Sequence, residues 1–155
     1  GTFSNVTFEG FSSNVVPSLV YNSNDGDVWL VVSAGGTTFA SWSGSAAAAD
    51  SISLMKYGVG GSASPSGTSE KIVSSLDTTS LSISAIVRVD DAKLTVVGQS
   101  STNLIGAWTD LSQNLTGSIS SDQAGVPAGC QRRIFSISKG SNPKMFLRLK
   151  VLMSN

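Results

Sequence analysis

The sequence predicts an all-β protein: an antiparallel β-sandwich, Ig-like or jelly-roll-like, with one short helix and an N-terminal β-hairpin or strand extension. Three observations lead there. Apolar residues recur at a spacing of two in many short runs, as half-buried strands require. Clusters of Gly, Asn, Asp and Ser separate those runs, as turns require. Charged residues make up only 13% of the 155 residues, while hydrophobic ones reach 40%. Disorder needs the opposite balance, and a chain of this length can bury a core without disulfides or metals.

The elements follow in order. Residues 2–9 (TFSNVTFE) open with a strand pattern in which Val6 and Phe8 alternate. Residues 15–21 (VVPSLVY) and 27–33 (DVWLVVS) flank Asn24-Asp25-Gly26, where Asp-Gly tolerates the positive φ of a tight turn, so 15–33 reads as a hairpin. Pro17 belongs near its start or on an edge. Ala34-Gly35-Gly36 reads as a joint. Next comes the one helical stretch: Phe39 and Trp42 are spaced i, i+3, and Asp50 is placed to N-cap residues 51–57, with Leu54, Met55 and Tyr57 as apolar bulk and Gly58 as terminator. Residues 58–69 (GVGGSASPSGTS) read as a surface loop or linker.

Strand patterns then resume at 71–76, 81–89, 93–99, 115–120, 132–138 and 145–153. Within 81–89 the pattern LSISA gives way to IVRV, which predicts a bulge or a switch of face. Asp90-Asp91 is the turn to the following strand. Many short strands with turns between them argue for a sandwich. Three segments result: residues 1–34 as N-terminal strands, residues 35–69 as short helix and Gly/Ser-rich loop, and residues 70–155 as the sandwich.

The side-chain inventory excludes several chemistries. The chain has no His and a single Cys, Cys130, so neither a Ser-His-Asp nor a Cys-His arrangement can be assembled, and no His/Cys zinc site can form. Asp90 and Asp91 are adjacent in a tight turn and point apart, unlike a glycosidase pair. No GxxxxGK[ST] phosphate loop occurs. The expectation is a non-enzyme with no cofactor and no metal. No run of 18 apolar residues is present, so no helix is expected to span a membrane. Cys130 reads as a buried thiol or as a cross-link between subunits.

Charge is unevenly placed. Residues 1–55 carry Glu9, Asp25, Asp27 and Asp50 with no Lys or Arg, whereas residues 131–155 carry Arg132, Arg133, Lys139, Lys144, Arg148 and Lys150 with no acid. The basic residues alternate with apolar ones, as on a solvated strand face, so no nucleic-acid partner is expected. Acidic and basic ends of neighbouring copies could also attract each other.

Three blocks carry a resemblance: TFASWSG with ADSISLMKYGVGGSASPSG, LSISAIVRVDDAKLTVVGQSSTNLIGAWTDL, and GVPAGCQRRIFSISKGSNPKMFLRLKV. Together they resemble the C-terminal domain of large secreted or surface autotransporter-like proteins of Verrucomicrobia and related bacteria, in which residues 1–33 would correspond to the last strands of a preceding β-helix-like region. The resemblance implies an extracellular or cell-surface location. It also implies an Asp-rich, calcium-like loop before the helix, but residues 44–50 keep only Asp50, too few anionic oxygens for calcium.

Two roles from different classes remain. The first is a non-enzymatic structural protein, a subunit of a surface assembly or filament built by β-strand addition between copies. Phe3, Val6, Phe8 and Phe11 on the opening strand would add to a neighbour's sheet, aided by Arg132, Arg133, Arg148 and Lys150. The second is a carbohydrate-binding accessory module of a secreted polysaccharide-degrading enzyme. Its stacking residues would be Trp108, Trp29 and Trp42, of which Trp29 and Trp42 lie in apolar stretches and also read as core.

Overall fold

The structure, a computed structural model, describes residues 7, 15–21, 28–34, 37–44 and 50–154. It divides into two units, residues 1–37 and 38–155. In the first, β1 (Val15–Tyr21) and β2 (Val28–Ala34) form an antiparallel pair running from Val15 opposite Ala34 to Tyr21 opposite Val28. This is the hairpin read from the sequence. Pro17 lies opposite Val32 in a sheet of two strands, each of which is an edge, so its missing N–H breaks no internal ladder. The strand expected at 2–9 and the turn at Asn24-Asp25-Gly26 lie outside the described residues.

The second unit is mostly β and sandwich-like: two antiparallel sheets of four and three strands packed together, with two short helices. The helices come first, α1 (Phe39–Ser43) and α2 (Ser51–Gly58). The strands are β3 (Val73–Leu76), β4 (Ser80–Arg88), β5 (Leu94–Ser101), β6 (Thr109–Asp110), β7 (Ser118–Ile119), β8 (Cys130–Ser138) and β9 (Phe146–Met153). One sheet has the order β3-β4-β8-β7, the other β6-β5-β9. β4 lies over β9 and β8 over β5. The helical and loop segment set apart from the sequence at 35–69 packs, from residue 38 onward, in one unit with the sandwich.

Two helices form where the sequence suggested one. α1 is only five residues long, too short for a periodic signal, and is held by a capping box between Thr38 and Ser41. α2 starts where Asp50 was placed to cap it: its carboxylate accepts from the Ile52 and Ser53 amides at 2.9 Å and from the Ser53 hydroxyl at 2.6 Å. These bonds, led by the one from Ser53, hold the Asp50 carboxyl below the usual carboxylate range. Gly58 is the last helical residue. A methyl group there would sit 2.9 Å from Val151 Cγ1, so its bareness lets α2 approach β9 closely.

β4 and β8 pair without interruption from Ser80 opposite Ser138 to Arg88 opposite Cys130. Alternation puts Ile83, Ala85 and Val87 with Phe135 on the inner face, where they meet Val96 and Leu111. Phe135 is fully buried; burial of such a side chain is worth about 1.5–3 kcal/mol. The bulge expected in 81–89 is absent. The second half of β4 reads as continuous apolar sequence because its outer face is covered too, Gly61 and Pro127 lying beside Ile86, while on its edge Val59 bridges Val87 and the Gly60 amide donates to the Ile86 carbonyl.

Arg88, the charge inside this apolar run, is 7% exposed and organises a buried polar cluster. Its Nε donates to the Tyr57 carbonyl at 3.2 Å, Nη2 to the Ser62 carbonyl at 3.0 Å, and Nη1 pairs with Asp90 at 3.3 Å. The guanidinium carbon stands 4.6 Å from the Tyr57 ring centroid. The Tyr57 hydroxyl donates to Asp91 at 2.7 Å, and Trp42 Nε1 donates to the same Ser62 carbonyl at 3.0 Å. Phe39, Trp42 and Tyr57 pack against one another with centroids 5.3–5.8 Å apart. One cluster thus ties both helices, the 58–62 segment, β4 and the turn after it.

Gly129 has φ +77°, and a Cβ there would overlap the Asp90 carboxylate, while its carbonyl accepts from Val89 and Asp90 amides. Gly129→Ala is expected to cost about 1–3 kcal/mol in urea denaturation; an unchanged midpoint would remove this contact from the argument. Burial, and then the bond to Asp91, push the Tyr57 hydroxyl well above its ordinary value of 10.0. The native state therefore keeps a proton that the unfolded chain loses above about pH 10, so this contribution is complete below that pH and is lost as pH rises, at up to about 1.4 kcal/mol per unit. Alkaline melts are expected to fall more steeply for the native sequence than for Tyr57→Phe.

Candidate functional site

Phe3, Val6, Phe8 and Phe11 lie outside the described residues. Trp29 stands opposite Val20 in the hairpin. Trp42 is 5% exposed and belongs to the helix-side core, so it presents no ring face to a sugar. Trp108 is half-buried just before β6.

The four basic residues divide into two pairs. Arg132 lies on β8, forms an ion pair with Glu70, donates to the Ala124 carbonyl at 3.1 Å, and is flanked by Gln123, which bonds both its amide and its carbonyl. The bond to Glu70 raises the Arg132 pKa further. Arg133, on the opposite face, donates to Gln131 and to the Thr116 carbonyl at 3.0 Å. Both are engaged within the chain, stapling β8 to the segments on either side. Their sequence neighbourhood signalled a strand but not these partners, which lie 62 and 17 residues away.

Arg148 and Lys150 are exposed on the outer face of the three-stranded sheet, opposite Gln99 and Val97. Arg148 Nε and Nη2 donate to Gln99 Oε1 at 2.9 and 2.7 Å, and Gln99 Nε2 donates to Asp110 at 2.7 Å. The Arg148 guanidinium carbon stands 4.2 Å from the Trp108 ring centroid. A line Trp108–Arg148–Gln99–Asp110 therefore crosses β9, β5 and β6. One ring face of Trp108 is taken by the guanidinium, and Asp110 and Lys150 remain exposed at its borders.

The two flanks of the sandwich differ. Along β5, β6 pairs at Gln99 and Ser100, and then Gly98 bonds to Leu111 and Leu115 as the chain crosses to the other sheet. That flank is closed. On the other flank β9, eight residues long, pairs with β5 on one side and has no neighbour on the other among the described residues. Its inward residues Leu147, Leu149, Val151 and Met153 reach the core yet remain half-buried. α2 covers the Val151 end.

β3 repeats the pattern. Leu76 pairs with Leu81 and so shares its inward face, but is 68% exposed. With β4 over β9, β3 extends one strand further out than the sheet beneath it. Next to β3, Ile52, Met55, Val59 and Ile72 line an open hollow of ≈570 Å³.

Other titratable groups are committed to the fold. Asp90 serves Arg88, and Asp91 serves Tyr57 and the Lys93 amide. Asp77 accepts from the amides and hydroxyls of Thr79 and Ser80, the Ser80 hydroxyl first, which holds its carboxyl well below the ordinary range. Cys130 is half-buried at the start of β8, and burial pushes its thiol up, away from reactivity. Among the described residues no group of three or more Cys, Asp or Glu could hold a metal ion, and no helix is long and apolar enough to cross a membrane. No protein-family model matches the chain, and neither a curated protein nor a solved structure matches it.

The stacking of Arg148 on Trp108 is expected to be energetically real. A double-mutant cycle with Trp108→Ala and Arg148→Ala, read by urea denaturation, should give a coupling of about 0.5–1 kcal/mol. A coupling near zero would make the geometry incidental.

Proposed function

We propose that this chain is a non-enzymatic extracellular or cell-surface structural protein, a subunit of a surface assembly or filament built by β-strand addition between copies. The observation that carries the reading is β9: among the described residues a long strand on a sheet edge, with an apolar inward row that they cover incompletely. Soluble monomers blunt such edges with short strands, bulges or a covering element, because an open edge is a template for another strand. Arg148 and Lys150 guard only its outer face.

The finer fold reading is an immunoglobulin-like sandwich one strand short. The order β3-β4-β8-β7 against β6-β5-β9 follows the A-B-E-D and C′-C-F pattern of that fold, in which a further strand, G, flanks F. β9 occupies the position of F. The resemblance to secreted bacterial C-terminal domains agrees with a location outside the cell.

The second reading, a carbohydrate-binding accessory module, is favoured by one observation, the half-buried Trp108 bordered by Arg148 and Asp110. Retention on a polysaccharide column, lost in Trp108→Ala, would support it.

Deleting residues 1–11 is expected to convert assemblies of the full chain, seen by electron microscopy and size-exclusion chromatography with light scattering, into monomers with an unchanged β-rich circular dichroism spectrum. Assemblies that persist after the deletion, or a full chain that is monomeric at high concentration, would sink the strand-addition reading.

A further inference from the structure

We propose that the seat under β3 and beside β9 is filled by residues 4–9 of a second copy of this chain. The proposal rests on the strand-addition reading above and names its acceptor.

The seat is defined by what surrounds it. Above it is β3, whose inward Leu76 is 68% exposed. Beside it is the outer edge of β9, where alternate residues of an antiparallel strand direct their N–H and C=O groups away from β5. Leu81 and Ile137, paired across the facing sheet, and Leu147 and Leu149 on β9 are inward-facing and half-buried. This is an apolar slot one strand wide, and a strand entering it would satisfy backbone groups and cover leucines in one step.

The occupant is argued from pattern and charge. In Ser4-Asn5-Val6-Thr7-Phe8-Glu9 the even positions carry Val6 and Phe8 and the odd positions carry Asn5, Thr7 and Glu9. With the even face inward, Val6 and Phe8 enter the slot among Leu76, Leu81, Leu147 and Leu149. The odd face then continues the outer surface that carries Arg148 and Lys150, and Glu9 supplies the opposite charge. Lys150 makes no ion pair among the described residues. Among the described residues the strands β1, β2, β4, β5, β8 and β9 are already paired within the two units.

The test uses the full chain. Leu76→Asp replaces a side chain that is mostly exposed in one copy, so the Tm should stay within about 2 °C. Self-association should fall by more than about tenfold, because the incoming strand would bury the carboxylate. Lys150→Glu should weaken association about two- to fivefold, and Glu9→Lys in the same chain should restore it. In a Cys130→Ser background, mixed chains carrying Phe8→Cys and Leu76→Cys should oxidise to a mixed dimer, whereas Phe8→Cys with Ile119→Cys on the far edge should not.

The outcomes separate the two proposals. If deletion of residues 1–11 abolishes assembly but Leu76→Asp and Lys150→Glu leave it intact, strand addition stands and this seat is wrong. A Phe8–Leu76 cross-link formed within a single doubly substituted chain, with no mixed dimer, would also overturn the seat as an interface between copies. Persistence of assemblies after the deletion removes both.

Discussion

The unbroken ladder between β4 and β8 is the constraint on which the rest of the second unit depends. Because side chains alternate strictly along a strand, nine consecutive pairs fix which residues face inward, and a slip of β4 by one position would put Ser82 or Ser84 where Ile83 stands. With the register set, Phe135 fills the centre, and β5 must present Val96 to it. The three-stranded sheet then has little choice of orientation. β4 is also the strand that meets every other layer: β3 and Val59 on one edge, β8 on the other, and β9 across the core.

Arg88 couples the helices to this ladder. A guanidinium at 7% exposure is tolerable only because carbonyls, a carboxylate and a ring face surround it. Its partners come from α2, the 58–62 segment and the turn after β4. The same residue that carries the cost of desolvation thus decides where α2 ends and how the 58–62 segment lies along β4. Tyr57, fully buried between Arg88 and Asp91, gives the cluster an alkaline limit, since its ionisation would place a second anion beside a carboxylate.

Among the described residues the sandwich is closed on one flank and open on the other, and the asymmetry has a topological origin. The connection from β6 to β7 crosses between sheets and bonds to β5 as it goes, sealing that side. Opposite, β3 and β9 are staggered, so that among the described residues Leu76 stays mostly exposed and Leu147 and Leu149 only half-buried. Composition is consistent with this. A chain with few charges has few means of protecting an exposed edge, and here two cations guard the outer face of β9 while its inner face is left to leucine, valine and methionine.

Much of the secondary structure was legible in the sequence because it depends on near neighbours. Asp50 capped its helix from two and three residues away, the hairpin at 15–34 came from a turn signal between two apolar runs, and the strands of the sandwich were marked by spacing alone. β6, two residues long, carried no clear period and was missed, whereas β7, also two residues, falls inside the strand expected at 115–120. Charge could be counted but not assigned: Arg132 and Arg133 looked like solvated or intermolecular cations until folding placed Glu70 and Thr116 beside them, while Arg148 and Lys150 stayed at the surface. The apparent switch within 81–89 came from a covering segment rather than a bulge, which no local pattern distinguishes. The sequence alone determined that this is a β-rich chain with no histidine and one cysteine, because alternation and inventory are properties of the chain itself. Which strand is left at an edge, and that Leu76 and Leu149 face an incomplete layer, was decided only by tertiary structure, because coverage depends on which segments meet across the core.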